Sequence, residues 1–183
     1  MTWHEEHYED NAGSELARVM DNLATALTDR QDPRDIFSVF TRHLEKVYAI
    51  KRGFLAIRDG DLTRFTAVAS WRQGHERRNL SLALPQRGSL LQKVAEDGQV
   101  YAETFAQLYD GNMIERRLLM DDDTQAFMLR PLKHAGRVVA MLAYASDDEN
   151  AFAAFNESVI DPLIDRFAEA IARYCQPASE LRS

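Results

Sequence analysis

Few residues in this chain are spaced for chemistry. His4 and His7 stand among Glu5, Glu6, Glu9 and Asp10, and two histidines three apart on a helix could share a metal ion. No motif places a third ligand, and a solvated terminus accounts for the same residues. Asp121-Asp122-Asp123 offers three carboxylates, the donors that hard cations take. Three consecutive side chains do not point the same way, however, and a capped turn explains them as well. His43, His75 and His134 fall singly in a predicted helix, a polar loop and a turn, with no nucleophile motif of the GxSxG kind and no HExxH. Neither common spacing of a glycine-rich phosphate loop is present. The single cysteine, Cys175, leaves no internal disulfide, no cysteine-based zinc cluster and no two-cysteine redox couple within one chain. The sequence reads as non-catalytic, without a metal site, and no motif names a cofactor.

Charge narrows the partners further. The net charge is −7 and no basic run exceeds Arg77-Arg78 or Arg116-Arg117, so the electrostatic footprint of a nucleic-acid binder is missing. No apolar run approaches the roughly 20 residues that cross a bilayer. The opening MTWHEEHYEDN is acidic, where a signal peptide is basic and then apolar. A cytoplasmic protein with no nucleic acid and no membrane partner is expected. With 183 residues, 45% of them hydrophobic, the chain can bury one substantial core. The expected organisation is a flexible N-terminal segment over 1–13, one domain over 14–175 and a tail over 176–183.

The elements that must position any functional residue show in the apolar spacing. After Ser14, a good N-cap, Leu16, Val19, Met20, Leu23 and Leu27 share one helical face and predict a first helix to about Thr28. Asp32-Pro33 starts a second, with Ile36, Phe37, Phe40, Leu44 and Val47 on its stripe and its end near Ala49. Residues 53–57 (GFLAI) form a short apolar strand, which Asp59-Gly60-Asp61 turns into residues 62–71, where Phe65, Ala67, Ala69 and Trp71 share a face. A polar loop over 72–79 leads to an edge strand in which Leu80, Leu82 and Leu84 alternate with Ser81 and Ala83 before Pro85. Residues 89–97 have helical spacing in Leu90, Leu91, Val94 and Ala95, Gly98 fits the left-handed position beyond them, and a strand over 99–103 follows.

From Thr104 to Asp123 the pattern weakens, with Phe105, Leu108, Tyr109, Met113, Leu118, Leu119 and Met120 interrupted by Asp110-Gly111-Asn112. Such a segment either forms a binding surface or plugs the core. Residues 127–145 then read as a hairpin about His134-Ala135-Gly136. Its second run, from Val138 to Ala145, has no polar alternation, so it must be covered on both faces and sit centrally in its sheet. A polar loop over 147–150 precedes a long last helix with Phe152, Phe155, Val159, Ile160, Leu163, Ile164, Phe167, Ala168, Ile171 and Tyr174 on a broad apolar face. Pro162 is expected to kink it or to split off its first turn.

Three stretches carry a family resemblance: RGSLLQKVAEDGQVYAETF (87–105), FMLRPLKHAGRVVAMLAYAS (127–146) and AFAAFNESVIDPLIDRFAEAIAR (151–173). Together with the element order, they make residues 14–174 resemble a GAF domain, the small-molecule-sensing relative of the PAS fold. The resemblance implies an α+β fold with a six-stranded antiparallel sheet whose first and last strands are central neighbours. It places the terminal helices on one face, with the short helix and the irregular segment roofing a pocket on the other. By that geometry the ligand is lined by Ser89, Leu90, Tyr109, Met113, Met120, Thr124, Met141 and Ala143, the three thioethers among them adapting to varied shapes. The sulfoxide-reductase members depend on several pocket cysteines and bilin attachment depends on one, whereas this chain has Cys175 near its C-terminus. The Asn-Lys-Phe-Asp-Glu signature of cyclic-nucleotide-binding members is missing, and Phe155-Asn156-Glu157 is a partial echo.

The implied function is sensory or regulatory: a small-molecule ligand of unknown identity, or a protein signalling partner, is read and reported through the terminal helices. A structural dimerisation adapter with a filled pocket, and an enzyme with an unfamiliar site, remain as alternatives. A homodimer is expected through Leu16, Val19, Leu23 and Leu27 of the first helix and Ile160, Phe167, Ile171 and Tyr174 of the last, because they offer more apolar surface than one sheet face absorbs. The first helix lying along the last within one chain would satisfy the same residues.

Overall fold

The computed structural model describes residues 17–26, 32–58, 64–153 and 157–175. In chain order they form α1 (17–26), α2 (Pro33–Leu44), β1 (Arg52–Arg58), β2 (Phe65–Arg72), β3 (Arg78–Ala83), α3 (Leu90–Asp97), β4 (Tyr101–Glu103), a 3-10 turn (Ala106–Leu108), α4 (Met113–Leu119), β5 (Ala126–His134), β6 (Arg137–Ser146) and α5 (Glu157–Tyr174). Ser14, Leu16, Leu27, the Asp59-Gly60-Asp61 turn, Phe155, and the terminal segments over 1–13 and 176–183 lie outside the described residues.

The strands make one antiparallel sheet in the order β3-β2-β1-β6-β5-β4. The two runs without polar alternation are thus central neighbours, and the α+β arrangement is the one the resemblance implies. Residues 53–57 and 140–146 are buried throughout, each with a packed layer above and below. The β5–β6 hairpin turns on Ala135 and Gly136, both with positive φ (51° and 76°), as a two-residue turn matched to strand twist requires.

On one face α1, α2 and α5 cover Leu55, Ala69, Met128, Leu142 and Tyr144. Asp32 caps α2 by accepting from the Arg34 amide at 2.9 Å, and Phe40 meets Phe167 of α5 with ring centres 5.4 Å apart. Arg130 of β5, almost fully buried, pairs with Asp161 of α5. Tyr144 crosses over Gly53, its strand partner, where any Cβ would lie 2.6 Å from the ring. Its hydroxyl shares a 2.7 Å hydrogen bond with Thr41 of α2. The other face is the second core: α3, α4 and Tyr109, just after the 3-10 turn, cover Phe54, Ala56, Phe127, Leu129, Met141 and Ala143.

Several expectations are corrected. Phe65 and Ala67 do not share a face with Ala69 and Trp71, because Val68 forms a bulge: Ala56 pairs with Ala67 and Leu55 with Ala69. An extra residue reverses the alternation beyond it, which turns Ser70 and Arg72 toward the second core, opposite Phe54 and Arg52. β3 begins at Arg78 rather than Leu80, since the ladder to β2 bonds backbone and is indifferent to polar side chains at an edge. α2 ends at Leu44, short of Ala49, where the backbone tightens (Val47 N–H to Leu44 O, 3.0 Å) and leaves Val47 exposed. α5 runs unbroken through Pro162.

The surface expected to drive a homodimer is consumed within the chain. Val19, Leu23, Ile160, Phe167 and Ile171 are all buried, and of that set only Tyr174 is exposed among the described residues. Leu23→Glu and Ile171→Glu should therefore unfold the chain, not release a folded monomer. Each buries an unpaired carboxylate at a cost of about 3 kcal/mol or more. Urea melts beside size-exclusion chromatography check this: a stable, folded variant of reduced mass would restore the dimer interface.

Candidate functional site

The roof of the second core has little helix of its own, and side-chain hydrogen bonds fasten it. Asn112 caps α4 by accepting from the Ile114 and Glu115 amides (3.1 and 3.0 Å), while its own amide donates to the Pro85 carbonyl at 3.1 Å. Glu115, fully buried, turns away from that cap and accepts from the Ser89 hydroxyl, from Tyr109 Oη at 3.0 Å and from the Leu90 amide at 3.2 Å. Ser89 also caps α3, accepting from the Gln92 amide at 2.9 Å. One carboxylate thus ties α4 to the start of α3 and to the segment before it. Gly111 permits this, since a Cβ there would collide with the Tyr109 ring and lie 2.5 Å from Glu115 Oε2.

Burial raises the Glu115 pKa, against the opposing pull of Ser89, Tyr109 and the Leu90 and Leu91 amides. Burial and the neighbouring Glu115 push the Tyr109 phenol far up, so it stays a donor and is no base. This cluster is a fastening.

Beside it lies a cavity of about 430 Å³ between α4 and the β1–β2–β3 end of the sheet, on the second-core face. Arg52, Ser70, Trp71, Arg72, His75, Glu76, Arg78, Leu80, Arg117 and Leu118 line it. The Val68 bulge brings Arg72 to this wall, and α4 carries Arg117 and Leu118 over it. Arg52 is held by the Met120 carbonyl (2.8 Å) and by Asp121 (3.6 Å), which pins the end of α4 to β1. A smaller adjoining cavity of about 180 Å³ is bordered by Lys51, Arg52 and Arg72 against Asp121, Asp123 and Asp147.

The eight residues expected to line a ligand site are dispersed. Ser89, Leu90 and Tyr109 come together around Glu115. Met141 and Ala143 are fully buried beneath the roof. Met120 is half-buried and Met113 is 68% exposed. Thr124 borders the smaller cavity, its hydroxyl donating to Asp121 Oδ1 at 3.0 Å. None of the eight lines the larger cavity. The Asp121-Asp122-Asp123 run closes a turn on itself, with Asp121 Oδ1 also accepting from the Asp123 amide at 3.0 Å. Nothing in the sequence marks Arg52, Arg72, Arg78 and Arg117 as a group, because they are scattered through the chain. Asn112-Met113-Ile114-Glu115 does match a helix-capping spacing, the one signal that could have flagged Glu115.

No family model matches the sequence, and no curated protein matches it. Solved structures do match the fold. A GAF domain from a phosphoenolpyruvate-protein phosphotransferase of Coxiella burnetii aligns at TM-score 0.68 and 17% identity, over 89% of this chain and 95% of that one. A GAF domain of nlh2 from A. Aeolicus aligns at TM-score 0.65 and 15% identity, over 88% and 98%. A free methionine-R-sulfoxide reductase from Thermoplasma acidophilum aligns at TM-score 0.60 and 11% identity, over 78% and 94%. The fold therefore serves regulatory domains and enzymes alike.

Glu115 should leave a signature in stability against pH. Its folded pKa lies above the ordinary 4.5, so the folded state binds its proton more tightly than the unfolded chain. Its contribution is most favourable below 4.5 and is lost as pH rises through the folded value. Glu115→Gln removes that dependence, so urea unfolding free energies of variant minus wild type should climb as pH rises from about 4.5 toward 8. A difference independent of pH would show the carboxylate to be unperturbed.

Proposed function

We propose that this chain, which has the GAF fold, is a sensory or regulatory domain that binds a small molecule and reports it through the helices on the opposite sheet face, without catalysing a reaction. The cavity of about 430 Å³ carries the reading, since its size falls within the usual range of small-molecule sites. Its wall is also joined to the other face. In the β2–β3 loop, Arg77 Nη1 sits 2.7 Å from Asp35 Oδ1 of α2, and the Gln73 amide donates to the Lys51 carbonyl at 2.9 Å. A ligand that draws in Arg72 or Arg78, at the two ends of that loop, acts on α2 through Asp35.

The site supplies little for catalysis. Cys175 is at the exposed end of α5 and does not line the cavity. Ser70 and His75 are the nucleophile and base types on the wall, and among the described residues no hydrogen bond joins them. A second reading, a protein-interaction adapter, draws on the closed packing of Met141 and Ala143 and on the exposed Phe105, Leu108 and Met113 of the roof.

Native mass spectrometry of the purified chain, with thermal melts against a library of anionic, neutral and cationic small molecules, separates the two. At about a hundredfold excess over Kd, a ligand should raise the melting temperature by roughly 5 to 10 °C. An adduct-free spectrum with no shift across the library would leave the adapter reading.

A further inference from the structure

Four of the cavity's ten lining residues are arginines, drawn from β1, β2, β3 and α4, and the one carboxylate on the wall is the exposed Glu76. In a chain of net charge −7, that is a local reversal of sign. Arg52 is already partly compensated by Asp121 at 3.6 Å. Arg72, Arg78 and Arg117 have no ion pair among the described residues. These three are exposed like Glu76, so water solvates them and folding does not demand a partner for them; a concave wall of one sign nevertheless concentrates anions.

The residue type narrows the ligand. Every cation on this wall is arginine, whose planar fork matches carboxylate and phosphate oxygens in pairs. Three unpaired guanidinium groups exceed what one singly charged group neutralises. The half-buried Leu80 and Leu118 add an apolar patch to the same wall, and about 430 Å³ is more room than an inorganic ion fills. The smaller cavity shares Arg52 and Arg72 with the larger one and sets them and Lys51 against Asp121, Asp123 and Asp147, so it has no excess of either sign.

We propose that the larger cavity is a receptor site for a small organic dianion, a dicarboxylate or a phosphate monoester, clasped by Arg72, Arg78 and Arg117 with its carbon skeleton against Leu80 and Leu118. This rests on the reading of the chain as a small-molecule receptor and names the class that the receptor takes. Arg117 closes the site from α4, and Arg72 and Arg78 hold it from the sheet.

Isothermal titration calorimetry on the full chain tests it, with succinate, glycerol 3-phosphate and inorganic phosphate as probes, succinamide as the neutral control and 1,4-diaminobutane as the cationic one. Succinate or glycerol 3-phosphate should bind, the stronger of the two identifying the anionic group, and succinamide and 1,4-diaminobutane should not. Raising salt to about 0.5 M should weaken binding by screening. Arg72→Gln and Arg117→Gln should each weaken it about tenfold or more, the loss of a charge-assisted hydrogen bond, with the circular dichroism spectrum unchanged. Arg137→Gln, at the distant β5–β6 turn, should leave the affinity as it is. Succinamide binding as well as succinate, inorganic phosphate binding as tightly as glycerol 3-phosphate, or Arg→Gln variants that keep wild-type affinity would overturn the proposal. If no anion binds while the library yields a neutral or cationic ligand, the ligand class is wrong and the receptor reading stands. If nothing binds in either experiment, both fall.

Discussion

A strand with no polar face needs cover on both sides, and β6 imposes that demand on the whole chain. From Ala140 to Ser146 every residue is buried, so a one-sided sheet would leave half of an apolar strand in water. One side is met by long helices, α2 and α5, anchored by the Tyr144–Thr41 hydrogen bond and the Arg130–Asp161 pair. The other side is met by α3 and α4, eight and seven residues long. Helices so short gain little from their own backbone bonds, and this layer relies on Glu115, which joins α4, Tyr109 and the cap of α3 at one buried carboxylate.

That fastening explains why a cavity lies at one end of the roof and not beneath its middle. At the centre, Met141, Ala143, Phe127 and Leu119 close the core completely. Over the Ser70–Arg72 end of β2 and the start of β3, Arg117 and Leu118 in the last turn of α4 supply the roof, and the edge strand below is largely exposed. The Val68 bulge then turns Ser70 and Arg72 to this side, where Arg117 faces them from α4. Position and charge of the cavity thus follow from a short roof, one bulge and arginines placed one to an element.

The sheet was legible because its signals are local. Two apolar runs without alternation marked β1 and β6 as central, Ala135-Gly136 marked the hairpin, and Gly98 adopts the left-handed φ (71°) expected beyond α3. The bulge was not legible: Phe65, Ala67, Ala69 and Trp71 keep a perfect period of two, and only pairing to β1 reveals the slip. Leu23 and Ile171, expected at a homodimer interface, pack instead against this chain's own sheet and helices, because an apolar helical stripe does not say which surface covers it. The cavity was the least legible feature, because Arg52, Arg72, Arg78 and Arg117 are brought together by tertiary structure alone. The capping spacing from Asn112 marks Glu115 as a first-turn residue of α4, but nothing in the sequence marks its carboxylate as buried.

On the proposed reading, a ligand on the roofed face is felt by the helices on the other, through the β2–β3 loop and the Arg77–Asp35 pair. Hydrogen exchange followed by mass spectrometry, with and without saturating succinate or glycerol 3-phosphate, addresses it most directly. Protection rising together over 72–80, over 113–120 and in α2 (33–44) is the expected result. Saturation of the site with protection confined to 72–80 and 113–120, and α2 unchanged, would contradict communication between the faces.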